Sequence, residues 1–109
     1  MLIISEIDFY QKISSIPRLS REEEIKYATL MKNGDYEARQ KIIDSYLFMV
    51  AGQNKRAPEK IRGMSLILTL IQTLERAVDS FDFLQESETF IHRLSLYFKN
   101  DTIKFLASR

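Results

Sequence analysis

The sequence predicts an all-α domain, a compact bundle of about five helices around a single core. Three observations carry that prediction. Glycine is scarce, with 3 in 109 residues, and helix formers dominate between the few breakers. Hydrophobic residues make up 45% of the chain and charged residues 28%, the balance of a folded chain that can clothe its own core. The apolar residues recur at helical spacing, most regularly between Ser65 and Phe81. A chain of 109 residues has room for one core, so residues 1–109 read as a single domain.

The first helix is expected over 5–15, with Ile7, Tyr10 and Ile13 on one face and Pro17 stopping it. The second is expected over 20–32. Ser20 and Glu23 can exchange side-chain and backbone hydrogen bonds as a capping box, and Glu22, Glu23 and Glu24 complement the helix dipole. Asn33-Gly34 ends it. Asp35 caps a third helix expected over 35–54, with Ala38, Ile42, Tyr46, Met49 and Val50 as its apolar stripe. The stretch from Lys55 to Met64 contains Pro58 and Gly63 and reads as the longest loop. The fourth helix, 65–81, carries Ile67, Leu70, Ile71, Leu74, Ala77, Val78 and Phe81 on one face, with Leu66 and Leu68 adding apolar surface off it. Such a helix is either central or covered by a partner. The last helix is expected over 88–106, with Ile91, Leu94, Phe98 and Phe105 facing inward. No internal repeat or low-complexity tract interrupts the series.

Composition removes several function classes. There is no cysteine, so disulfide staples and thiolate metal sites are excluded. The single histidine, His92, has no acidic pair at metal-ligand spacing and reads as solvent-exposed. Glu86 and Glu88 stand two apart in an expected loop and would not converge, and no glycine-rich elbow or phosphate loop is present. The expectation is a non-enzyme without a cofactor. The apolar opening Met1 to Ile4 is too short for a signal peptide, and nothing approaches the roughly 20 apolar residues of a membrane helix, which gives a cytoplasmic address by default.

A net charge of +1 does not announce nucleic-acid binding, but the distribution is uneven. Lys55, Arg56, Lys60 and Arg62 cluster against Glu59, and the tail carries Arg93, Lys99, Lys104 and Arg109 against Asp101. Between them lies an acidic run of Glu75, Asp79, Asp82, Glu86 and Glu88. On the last helix Arg93, Tyr97, Asn100 and Lys104 stand at i, i+4, i+7 and i+11, one outward stripe. Cations hold phosphates, a ring stacks on a base and an amide pairs with a base edge, which is what melted DNA offers. The same pattern also describes an amphipathic helix whose polar side happens to include a tyrosine.

The run from Tyr10 to Glu24, YQKISSIPRLSREEE, resembles the segment Y-x-x-I-x-x-x-P-x-L-S/T-x-E-E-E of bacterial RNA polymerase sigma factors. Asn33 to Arg39 is similar to the x-G-D-x-x-A-R that follows in that family, and Asp44 to Val50 to its S-N-L-R-L-V run. Gly63 to Leu66, Leu70 to Gln72 and the stretch LERAVDSFD from Leu74 to Asp82 resemble its G-L-S-L, L-I-Q and L-M-K-A-V-D-K-F-D. In this order, over nearly the whole chain, they identify it as a member of the sigma-70 family, in region 1.2 and the −10-binding region 2. The last helix departs most. Phe90 to Asn100 stands where the family has F-S-T-Y-A-T-W-W-I-R-Q, with Leu96 and Tyr97 in place of the tryptophan pair. The helix from Ser65 to Ala77 is shorter than the family's and lacks the Asp, Glu and Gly of D-L-I-Q-E-G.

The resemblance implies a module that binds core RNA polymerase at the clamp helices and contacts or melts the −10 promoter element as a single strand, by binding and strand capture. It implies clamp contacts from Ser65, Thr69, Gln72, Thr73 and Arg76 on the fourth helix, and DNA contacts from Arg93, Tyr97, Lys99, Asn100 and Lys104 on the last. Lys55, Arg56, Lys60 and Arg62 would add phosphate contacts. The domains that would read the −35 element are not among these 109 residues, so the chain is expected to be either a piece of a longer factor or a stand-alone protein that borrows the other half. A second sigma-like subunit or an anti-sigma protein is a further candidate partner. The rival reading is a degenerate regulator of the same fold that binds a protein partner without melting DNA.

Overall fold

The computed structural model describes residues 5–85 and 89–108. Short polar side chains start four of the helices among the described residues by accepting backbone N–H groups that a helix leaves unpaired. Ser5 accepts from Asp8 at 3.1 Å and opens α1, Glu6–Ser14. Ser20 and Glu23 form the expected capping box, with bonds of 3.1 and 2.9 Å, and open α2, Arg21–Lys32. Asp35 accepts from Ala38 at 3.0 Å ahead of α3, Tyr36–Ser45. Thr89 accepts from His92 at 3.2 Å ahead of α6, Phe90–Ala107. Gly34, at φ 93°, ends α2 in a backbone region that favours glycine.

The face of α1 differs from expectation. Ile7 is 68% exposed, and Phe9, fully buried, anchors the helix with Tyr10 and Ile13 beside it. Residues three apart drift by about 60° around a helix, so Ile7 falls off the face that Phe9 and Ile13 share.

The single helix expected over 35–54 is two, α3 and α4 (Leu47–Arg56), divided at Tyr46. The Ser45 hydroxyl donates to the Ile42 carbonyl at 2.7 Å, and the Tyr46 N–H turns back to Ile43 at 3.1 Å. Both compete with the regular ladder and favour a bend. The Tyr46 ring is buried and its hydroxyl donates to Glu24 on α2.

The expected loop from Lys55 is shorter than predicted, because Lys55 and Arg56 form the last turn of α4, where their charges complement the carbonyl end. A 3-10 turn, Glu59–Ile61, buries Ile61 and leads to Gly63 at φ 137°. The Gly63 N–H donates to the Asn54 side chain at 3.1 Å, and the Asn54 amide donates to the Tyr10 hydroxyl at 2.8 Å. Asn54 is 1% exposed, so this buried amide joins α1, α4 and the entry to the next helix.

That next helix, α5 (Met64–Ser80), is central, packed on by α3, α4 and α6. Ile67, Leu70, Leu74, Ala77 and Val78 are all buried, and Leu66 joins them. Its apolar surplus is absorbed within the molecule, Leu68 alone of that set being well exposed. Along α6 the buried positions step by four, Phe90, Leu94, Phe98 and Thr102. Ile91 is 42% exposed, against expectation, because it lies one position off that row. Phe81, Phe83, Phe90 and Tyr46 close the α6 entry as an aromatic cluster with centroids 4.7 to 5.2 Å apart. Met1 to Ile4, Glu86, Glu88 and Arg109 lie outside the described residues, as does the expected start of the last helix at 88.

Candidate nucleic-acid interface

The groove between α5 and α6 brings the candidate residues of two helices together. Thr73, Arg76 and Ser80 form one wall and Tyr97, Asn100, Asp101 and Lys104 the other, around about 430 Å³. A second hollow of about 360 Å³ continues toward the end of α6, sharing Arg76, Asp101 and Lys104 and adding Thr69, Phe105 and Ser108. The walls are held in register across the groove. The Thr73 hydroxyl donates to the Asp101 carboxylate at 2.5 Å, and Arg76 Nη2 pairs with the same oxygen at 2.8 Å. On the α4 side, the Gln53 amide donates to Thr102 at 3.1 Å and fixes the rotation of α6.

Within this frame the side chains differ in what they can do. Tyr97 is half-buried, packed on the core and lining the groove, while Asn100 and Lys104 are exposed. Arg76 reaches outward, its side chain 70% exposed, whereas the Asp101 side chain is 18% exposed. Thr73 is 2% exposed and is committed to Asp101, so its role is internal. The sequence reading set Asp101 against the basic residues of the tail but did not place it in the candidate site. Its signal was there, since it stands four residues after Tyr97 and three before Lys104 on the same stripe.

The remaining candidates lie elsewhere. Arg93 sits beside Phe81, its guanidinium 5.8 Å from the ring centroid, and Lys99 is exposed without lining the groove. Ser65 and Gln72 are exposed on α5. Lys55 lies 4.9 Å over the Tyr10 ring and Arg62 donates to the Ala57 carbonyl at 2.6 Å, so with Arg56 and Lys60 they form a separate patch around the end of α4. His92 is exposed.

Two further hollows border the aromatic cluster. In one, of about 430 Å³, Arg39 pairs with Asp79 through bonds of 2.6 and 2.9 Å. This joins the Asn33–Arg39 motif to the Leu74–Asp82 motif. Hydrogen bonding by Arg39 holds the Asp79 carboxyl below its usual range, and the same bond raises the guanidinium. In the other, of about 310 Å³, Tyr46, Glu24 and Arg21 lie over Phe81 and Phe90. Burial first, and then the bond to Glu24, push the Tyr46 hydroxyl well above the usual phenol range. Among the described residues no group of three or more His, Cys, Asp or Glu could hold a metal ion, and no helix is long and apolar enough to cross a membrane.

Comparison with known proteins bears on the first third of the chain and then on most of it. The family model for sigma-70 factor, region 1.2, matches residues 8–37, which cover most of α1, all of α2 and the start of α3. The RNA polymerase sigma factor SigA of Clostridium acetobutylicum is 43% identical over 79 residues, amounting to 69% of this chain. The chain spans 20% of that relative's length.

Proposed function

Since the chain is sigma-70 family sequence, we propose that it acts as a sigma-like transcription-initiation module, binding core RNA polymerase and capturing the −10 promoter strand. The observation that carries this reading is the α5–α6 groove, where an aromatic ring, a side-chain amide, Lys104 and the Arg76–Asp101 pair line one hollow of about 430 Å³. Tyr97 would stack on an unpaired base, a contact worth about 1–3 kcal/mol at a good site. Asn100 would pair with a base edge and Lys104 would hold a flanking phosphate, with Arg76 beside it tied to Asp101. Arg93, on the same stripe of α6, would extend the phosphate path, and Lys99, on another face of that helix, would meet backbone outside the groove. The patch of Lys55, Arg56, Lys60 and Arg62 would meet more distant backbone.

The outward face of α5, with Ser65, Gln72 and the exposed side of Arg76, is the surface we assign to the clamp helices. Thr69 borders it from the second hollow, and Thr73 contributes only through Asp101. The work is done by binding, without covalent chemistry. A sigma-type role also implies a cytoplasmic setting.

The test is competition between the 109-residue chain and a housekeeping sigma factor for purified core polymerase, followed by addition of promoter DNA. Displacement at tens of micromolar, about −6 kcal/mol, is the expected result. No displacement at that concentration rules out polymerase binding by this chain alone. One observation favours the rival, a regulator that binds a protein partner. Leu96 and Ile103 stand on the outer side of α6 at 49% and 57% exposed, where apolar surface suits a protein better than a phosphate backbone. Under that reading, binding to single-stranded promoter DNA shows no dependence on salt.

A further inference from the structure

The groove contains a charge that works against its proposed ligand. Of the two cations on its walls, Arg76 is already neutralised by Asp101 at 2.8 Å, which leaves Lys104 to meet a phosphate uncompensated. The arrangement is fixed. The carboxylate oxygen that pairs with Arg76 also receives the hydroxyl of Thr73, a residue 2% exposed, so the carboxylate is anchored on the groove wall from the buried side. Asp101 is itself mostly covered, while Arg76 is held with its outer edge toward solvent.

We propose that Asp101 is a specificity-determining residue, a built-in brake on backbone binding, which makes base contacts at Tyr97 and Asn100 decide which single strand stays bound. This rests on the reading that the groove takes single-stranded DNA. The physical reason is the way polyanion affinity scales. Each phosphate neutralised by a protein cation adds affinity regardless of sequence, with a slope of about 0.7 in log K against log salt for single strands. A groove with two free cations would hold any strand and dilute the contribution of stacking and edge pairing. With one cation cancelled, the contacts that distinguish bases make up a larger share of the whole.

Asp101→Asn removes the charge and keeps an oxygen acceptor for Thr73. Binding of the full chain to a fluorescently labelled −10-element oligonucleotide and to a scrambled one of equal length, over a range of salt, reads the effect. Asp101→Asn should tighten binding to both strands, steepen the salt slope by about 0.7 and shrink the ratio of the two affinities. Arg76→Gln, a change at an exposed position, should weaken both and flatten the slope, because Asp101 is then unopposed. The double variant should return near wild type. If the wild-type chain binds and Asp101→Asn neither tightens binding nor steepens the slope, or Arg76→Gln behaves as wild type, the brake is overturned while the groove remains a binding site. If no variant binds either strand at low salt, the groove reading goes with it.

Discussion

Arg39 and Asp79 join two sequence motifs that lie forty residues apart, and the chemistry of that pair can be read from its pH dependence. The folded Asp79 carboxyl titrates below its reference value of 3.8, chiefly because Arg39 donates to the charged form. A depressed folded value means that the contribution to stability is complete above the unfolded pKa. It is lost as pH falls through the folded one. The Asp79 side chain is 53% exposed, so solvent and salt screen the pair and its worth stays below about 1 kcal/mol. Arg39→Gln should therefore lower the urea midpoint slightly at about pH 7, and the gap from wild type should close by about pH 2. A gap that does not change with pH would assign the loss to packing of the arginine stem. At this scale the sequence was legible where local chemistry decides, as in the Ser20–Glu23 box, and not where a single position selects a helix face. Ile7 and Phe9 are both apolar and two apart, and only the packing of α1 on α4 chose between them.

Helices α3 and α4 show what an element conceals. Ile42, Tyr46 and Val50 keep a spacing of four straight through the junction, so nothing in the apolar pattern marks a break. The local bonds of Ser45 and Tyr46 that favour the bend act together with a tertiary contact, the Tyr46 hydroxyl reaching Glu24 on α2 while its ring packs against Phe90 at 4.7 Å. Tyr46→Phe keeps the ring and removes the hydroxyl. It leaves Glu24, with its side chain 13% exposed, short of one hydrogen-bond donor, though still paired with Arg21 at 3.0 Å. The expected cost is about 1–2 kcal/mol in global stability by denaturant unfolding, with helix content retained. Stability equal to wild type would mean that water replaces the hydroxyl and that the bend is set by Ser45 instead. The same tertiary origin explains α5. Its excess of apolar residues left open whether it was central or partner-covered, and three neighbouring helices supply the answer.

Across the whole molecule, the candidate site is a property of two helices in contact, which is why it was half legible. The stripe of Tyr97, Asn100 and Lys104 could be read from spacing on α6 alone, whereas Arg76 entered only as a clamp contact implied by the family resemblance. That they share one groove depends on how the two helices are rotated about their axes, which the buried rows Leu94–Phe98–Thr102 and Leu70–Leu74–Ala77 determine together. The separation of the Lys55–Arg62 patch from that groove has the same origin, since α4 meets α6 through Gln53 and Thr102 and carries its basic end elsewhere. If the groove binds a strand, its two kinds of contact should come apart under substitution. Tyr97→Ala removes stacking and leaves the charges alone, so affinity for a single-stranded −10 oligonucleotide should fall by about 1–3 kcal/mol with the salt slope unchanged. Lys104→Gln removes one cation and leaves the ring, so the slope should flatten by about 0.7 and affinity should fall similarly on every sequence. The two losses should be close to additive, because one acts through a base and the other through a phosphate. A Tyr97→Ala variant that binds as tightly as wild type would show that the strand runs along the outer face of α6 and bypasses the groove.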